Sequence, residues 1–151
     1  MKHTPQGKKL LPLLLASAAL TVVPGCGISP AGNAADAMLQ ASVEGDCERS
    51  AGYIDPPSAS EAAGRDLTHE DLVEACLYER NTGPLVGQEI TDLDDEKDTS
   101  SVEVRLTHFQ NHQEIFSTRR IALARIDGEW KVLDYFYRLP PEDDGEPTPS
   151  G

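Results

Sequence analysis

The sequence is short of basic residues, of cysteine and of long apolar runs, and each shortage excludes something. Thirteen Lys and Arg stand against 26 Asp and Glu, a formal charge of −13 over 151 residues. That balance repels phosphate backbones and disfavours nucleic acid and anionic headgroups as partners, so no nucleic acid is expected. Arg119-Arg120 is too short to be a basic patch and marks instead the wet side of a strand. The three cysteines include no Cys-x-x-Cys, and His69 and His112 have no partners at zinc-ligand spacing. The acidic stretch 92–98 puts Lys97 where a calcium-binding loop needs glycine, and Glu103, twelfth from Asp92, falls in a strand. It therefore reads as a solvated hairpin loop. Gly-rich phosphate loops, Gly-x-Ser-x-Gly elbows and internal repeats are all missing, so no cofactor and no metal is implied. The longest apolar run, residues 10–23, has 14 residues, where a spanning helix needs about 20.

What is present at the start is an export signal. Lys2, Lys8 and Lys9 precede the apolar run, and Val23-Pro24-Gly25-Cys26 closes it. These four residues resemble a bacterial lipobox, in which a small residue precedes a cysteine that is acylated, with palmitate-type chains, and becomes the mature N-terminus. Val23 and Gly25 fit that pattern; Pro24 departs from the usual Ala or Ser. The expectation is a signal peptide over 1–25, a lipid on Cys26, and a protein held on the extracytoplasmic face of the cell membrane, since two or three acyl chains make a stable anchor without a spanning helix. Cleavage leaves 126 residues, enough for one domain, with ten basic residues against 26 acidic ones and a formal charge of −16. Cys47 and Cys76 are then the only remaining thiols in an oxidising compartment, and a single disulfide follows. Closing about 30 residues, it would stabilise the fold by about 3.6 kcal/mol on chain entropy.

The mature chain divides into a tether (26–33), a domain (34–138) and an acidic, Pro-rich tail (139–151) expected to be disordered. Ala35, Met38, Leu39 and Val43 recur at helical spacing after Asn33, a candidate N-cap. Gly45 ends this helix, and Asp46 can cap a short second one carrying Cys47, Ala51 and Tyr53 until Asp55-Pro56-Pro57 stops it. Residues 58–66 are polar and small, and read as a loop. Over 67–80, Thr68 and Asp71 approximate a capping box, Leu67 can staple onto Leu72, and Leu72, Val73, Cys76 and Leu77 make one apolar face. That face turns Cys76 inward to meet Cys47. Asn81-Thr82-Gly83-Pro84 ends the helix.

From there the period is two. Strands are expected over 85–93, 101–109, 114–126 and 129–137, with Val102, Val104 and Leu106 on one face of the second and Trp130, Val132 and Phe136 on one face of the last. Asp127-Gly128 is a hairpin turn that sets Leu123 opposite Val132 and Ile121 opposite Asp134. Helices followed by strands predict an α+β fold, helices packed on one face of a curved, four-stranded antiparallel meander.

This order of elements, the Glu44-Gly45-Asp46-Cys47 step and the Ile126-Asp127-Gly128-Glu129-Trp130-Lys131-Val132 hairpin resemble small exported lipoproteins, common in actinobacteria, with a nuclear-transport-factor-2-like, cystatin-like domain. The resemblance covers residues 34–138. A Gln-x-Val-x-Gly loop, which cystatin proper would carry, is missing. The resemblance implies a cone with a pocket between sheet and helices, homodimers through the sheet, and, in the isomerases, dehydratases and cyclases of that superfamily, a pocket Asp or His as general base. His108, continuing the Val102–Leu106 face, and Asp134, between Val132 and Phe136, are the candidates here. A carboxylate in an apolar cavity has its pKa raised toward the range useful for proton transfer; exposed or structural roles, with Asp134 paired to Arg105, Arg119 or Arg120, are the more ordinary outcome. Two functions stay open. One is a non-enzymatic envelope module binding a small apolar ligand or another envelope protein, and the other a small-molecule enzyme using Asp134 and His108.

Overall fold

Ser29 caps the first helix: its hydroxyl accepts from the Gly32 N–H at 3.1 Å, and Pro30 occupies the first helical position, where a missing N–H costs nothing. In the computed structural model, which describes residues 28–134 and 136–142, helix α1 therefore runs Pro30–Glu44, four residues earlier than its apolar period announces. Residues 30–33 of the segment expected as a tether are helical, and Ser29, not Asn33, is the cap. The expected signal peptide and the expected lipidation site at Cys26 lie outside the described residues. α1 buries Ala31, Ala35, Met38, Leu39 and Ser42. It ends on Gly45 at φ 82°, where a Cβ would also sit 2.3 Å from the Arg80 guanidinium carbon.

Asp46 caps α2 (Cys47–Ala51) by accepting from the Arg49 N–H at 3.1 Å. The chain then departs from expectation. Asp55-Pro56-Pro57 starts a helix instead of only stopping one: Asp55 accepts from the Ser58 N–H and hydroxyl, and α3 runs Pro56–Ala63 through the segment that reads as a loop. Prolines in a first turn satisfy φ and lose no bond, so the same tripeptide serves both purposes. α4 (His69–Thr82) carries the full capping box, with Thr68 and Asp71 bonding each other's backbone N–H groups. Its buried face is Leu72, Ala75 and Cys76; Leu77 is 44% exposed, contrary to its expected place in the core. Cys47 and Cys76 form a disulfide with Cα atoms 5.6 Å apart, pinning α2 to α4.

Strands β1 (Leu85–Asp95), β2 (Thr99–Gln110), β3 (Gln113–Ile126) and β4 (Glu129–Val132) form an antiparallel meander in the order β1-β2-β3-β4. The acidic hairpin of residues 92–98 joins β1 to β2. Two bulges in β1 break its alternation, one between Leu85 and Gly87 and one between Ile90 and Asp92. Asp127 and Gly128 take positive φ, as a two-residue hairpin requires, and Leu123 pairs with Val132. Asn111 and His112 make the equivalent turn between β2 and β3. The inner face, formed by Val102, Val104, Leu106, Ile121, Leu123 and Val132, packs on Met38, Leu39 and Leu72.

The last strand is half the length expected over 129–137. After Val132, the Leu133 N–H bonds the Ala122 carbonyl at 2.9 Å and the chain leaves the sheet, so Ile121 has no ladder partner in Asp134. On its other edge β4 is paired by the segment after α2, through Asp55 N–H to Val132 O and Val132 N–H to Tyr53 O. Phe136 and Tyr137 turn into the core, where the Tyr137 hydroxyl bonds Ser50, and Ser50 bonds Ser42 and the Met38 carbonyl. Leu139 packs against the core and Glu142 pairs with Arg65 at 3.0 Å, so the first residues of the expected disordered tail are engaged. Residues 143–151 lie outside the described residues. No helix of the described residues is long and apolar enough to cross a membrane.

Candidate functional site

The bend after β4 creates a cavity of about 480 Å³ between the inner sheet face, the end of α4 and residues 136–138. Leu106 and Ile115 from the sheet and Phe136 from the bend give it apolar walls. Glu79, His108, Arg119 and Arg138 supply charge, with Gln110, Ser117 and Tyr137 also lining it.

His108 is where the sequence pattern places it, at the outer end of the Val102–Leu106 face and opposite Ile115 on β3. Its Nε2 lies 3.4 Å from Glu79 Oε1, with side chains 24% and 12% exposed. Asp134 goes elsewhere. Its Oδ2 accepts from an Arg119 terminal nitrogen at 3.0 Å, it is 35% exposed, and it does not line the cavity. The candidate acid–base pair of Asp134 and His108 is thus not assembled: each has its own partner on a different element. Asp134's pairing with Arg119 is the ordinary outcome allowed by the sequence.

Three lining residues escape sequence reasoning. Glu79 stands three residues after Cys76 and seven after Leu72, on α4's buried face, so helical period alone would have flagged a carboxylate aimed at the core. Both its oxygens are used, Oε1 by His108 and Oε2 by the Arg138 N–H at 3.0 Å. Arg119 is set opposite Val104 and so points inward, while Arg120 faces out to Asp92 and Glu103. Only one of the two adjacent arginines is on the wet side. Arg119 donates to the Phe136 carbonyl at 2.6 Å and lies 5.0 Å from that ring's centroid, which fastens the bend to the sheet. Tyr137 is the third. Burial pushes its phenol up to about 12.

A second, shallower hollow of about 510 Å³ lies near the start of α1, between Pro30, Ala34, Tyr53, Trp130 and Lys131. Lys131 is committed there to the Gly52 carbonyl at 2.7 Å and to Glu129. Among the described residues no three or more His, Cys, Asp or Glu come together as metal ligands. The residues of the acidic hairpin, 92–98, are exposed apart from half-buried Leu93.

Comparison with solved structures places this architecture. An NTF-2 like protein of unknown function from Shewanella oneidensis matches over 68% of this chain and 90% of its own, at 13% identity and a TM-score of 0.51. A cystatin-like-fold protein of unknown function from Nostoc punctiforme matches over 73% and 88%, at 12% identity and a TM-score of 0.52. The fold is nuclear-transport-factor-2-like. A further likeness is to AclR of Streptomyces galilaeus, described as a candidate hydroxylase, over 72% and 77% at 15% identity and a TM-score of 0.52. At such identities the likeness is one of fold. No protein-family profile matches the sequence, and no curated protein matches it. Within the cone, helices and sheet enclose the apolar-walled space. It opens beside Ile115, which is exposed at the inner face, whereas the exposed Phe109 and Phe116 alternate onto the opposite, outer face of the sheet.

Proposed function

We propose that this protein is a non-enzymatic binding module of the cell envelope, tethered through a lipid on Cys26, that takes a small ligand in the cone's cavity. The observation that carries the reading is the separation of the two candidate catalytic side chains: Asp134 is spent on Arg119, outside the cavity, and His108 on Glu79. What remains is a recess with apolar walls and a polar rim, the usual composition of a small-molecule site. The anchor reading rests on the order of lysines, apolar run and Val23-Pro24-Gly25-Cys26.

Tether length and sheet geometry fit that arrangement. Only residues 27–29 separate Cys26 from α1, a reach of about 11 Å at full extension. A Cβ on Gly32 in α1's first turn would lie 3.6 Å from Leu93, which pairs with Val102 at the start of β2. His108 is six residues further along β2, about 20 Å at strand rise. An anchor on Cys26 would sit toward the Leu93 end of the sheet, away from the cavity, and the ligand would then enter from the aqueous side.

A second reading keeps the fold and makes it an enzyme, with His108 moving a proton in the cavity and Glu79 orienting the imidazole, as their 3.4 Å approach allows. The experiment for the first reading is native mass spectrometry of protein extracted from its own membrane. A small molecule retained by wild type and lost in Ser117→Phe, which fills the cavity, supports binding; a ligand that returns chemically altered moves the assignment to the enzyme. Unchanged size under globomycin together with membrane retention of Cys26→Ser would overturn the anchor.

A further inference from the structure

We propose that the cavity selects a small anion with an apolar body, a monocarboxylate being the natural class, and that Arg138 is the residue that holds the charged group. This deepens the binding reading above and rests on it. Among the eight arginines, all within the described residues, seven have a partner. Arg49 pairs with Glu44 and Asp46, Arg65 with Glu142, Arg105 with Glu89, Arg119 with Asp134, and Arg120 with Asp92 and Glu103. Arg80 donates to the Gly45 carbonyl, and Arg125 lies over the Trp130 ring. Only the Arg138 guanidinium has no hydrogen-bonding or ring partner among the described residues, and Arg138, an exposed residue, is among those that line the cavity.

The nearby carboxylates do not fill that vacancy. Glu79 is engaged on both oxygens, by His108 and by the Arg138 backbone N–H, and Asp134 is held by Arg119. Arg119, Arg138, Glu79 and Asp134 together balance to zero, in a chain where acidic residues outnumber basic ones two to one. An anion approaching this protein is repelled over most of its surface, and the cavity mouth is where that repulsion is relieved. A partnerless guanidinium offers a carboxylate two parallel charge-assisted bonds. Leu106, Ile115 and Phe136 then cover an apolar body, which a small hydrated anion such as inorganic phosphate would not supply.

Two dyes with the same aromatic body separate the contributions: anilinonaphthalenesulfonate, which carries an anion, and phenylnaphthylamine, which does not. Each is titrated by fluorescence into the protein and into the Arg138→Gln, Arg138→Lys, Ser117→Phe and Phe116→Ser variants, the last on the outer sheet face as a control for surface binding. The expected result is that wild type holds the sulfonate about tenfold or more tighter than the neutral dye. Arg138→Gln should erase that preference without weakening the neutral dye, Arg138→Lys restore part of it, Ser117→Phe abolish both, and Phe116→Ser change neither. Added salt should weaken the sulfonate alone. Equal affinity for the two dyes, indifferent to Arg138→Gln, overturns the anion preference and leaves the cavity reading standing. Failure to bind either dye, or binding untouched by Ser117→Phe, overturns both.

Discussion

Glu79 and His108 meet across the cavity wall, Oε1 to Nε2 at 3.4 Å, one from the last turns of α4 and the other from the far end of β2. The same carboxylate accepts the Arg138 N–H at 3.0 Å, so a single side chain ties helix, sheet and C-terminal bend together. Replacing Glu79 by Ala frees two donors at once. The expected cost is about 1–3 kcal/mol in urea unfolding, with faster amide exchange at Arg138. His108→Ala removes one of the two bonds and should cost less and leave Arg138 exchange unchanged.

The Cys47–Cys76 bridge joins α2 to α4 across 29 positions of sequence. Cys47→Ala/Cys76→Ala should lose about 2–4 kcal/mol, measured as a lower urea midpoint. Because Asp46 caps α2 independently of the bridge, the reduced chain should keep its helical circular dichroism under native conditions.

Tyr137 makes the alkaline limb of stability specific. Its phenol is buried and its pKa is pushed up to about 12 by that burial, against 10.0 for an ordinary tyrosine. The unfolded chain therefore gives up this proton first, and ionisation favours unfolding. The stability it contributes is complete below pH 10 and is lost as pH rises toward 12. Tyr137→Phe should flatten that limb in a pH series of unfolding midpoints, while costing about 1–2 kcal/mol at neutral pH by stripping Ser50 of a partner.

The capping box of α4 predicts the opposite limb. Asp71's carboxyl is held below its usual 3.8 by the Thr68 backbone N–H and hydroxyl that bond it. A lowered folded pKa gives stability that is present above about pH 4 and lost as pH falls through the folded value. Asp71→Asn should flatten the acid limb. Thr68→Ala should cost about 1 kcal/mol at pH 7 by losing the cap, read by thermal melting.

Much of the scaffold was legible because short-range chemistry decides it. Thr68 and Asp71, Asp127-Gly128 with Leu123 opposite Val132, the Val102–Leu106 alternation and the inward Cys76 are all fixed by neighbours within a few residues or one hairpin. Where the structure departs, a distant contact wins or one motif carries two meanings. Asp55-Pro56-Pro57 both stops α2's segment and starts α3. The strand expected to run to residue 137 ends at Val132 because Phe136 and Tyr137 gain more by burial, with Ser50 waiting for the phenol, than by extending the ladder. The site was legible at His108 and not at Asp134, whose position depends on that same bend. Glu79 and Arg119 could have been found by following the apolar face of each element and asking which charges fall on it.

The claim that the cavity is the binding site is tested most directly by following backbone amides in a ¹H–¹⁵N NMR titration of the protein with anilinonaphthalenesulfonate. The account predicts that shifts concentrate at Leu106, His108, Ile115, Ser117 and Arg138, and that Tyr53 and Lys131 in the second hollow stay still. Shifts centred on Tyr53, Trp130 and Lys131, or scattered over the outer face around Phe109 and Phe116, would contradict it.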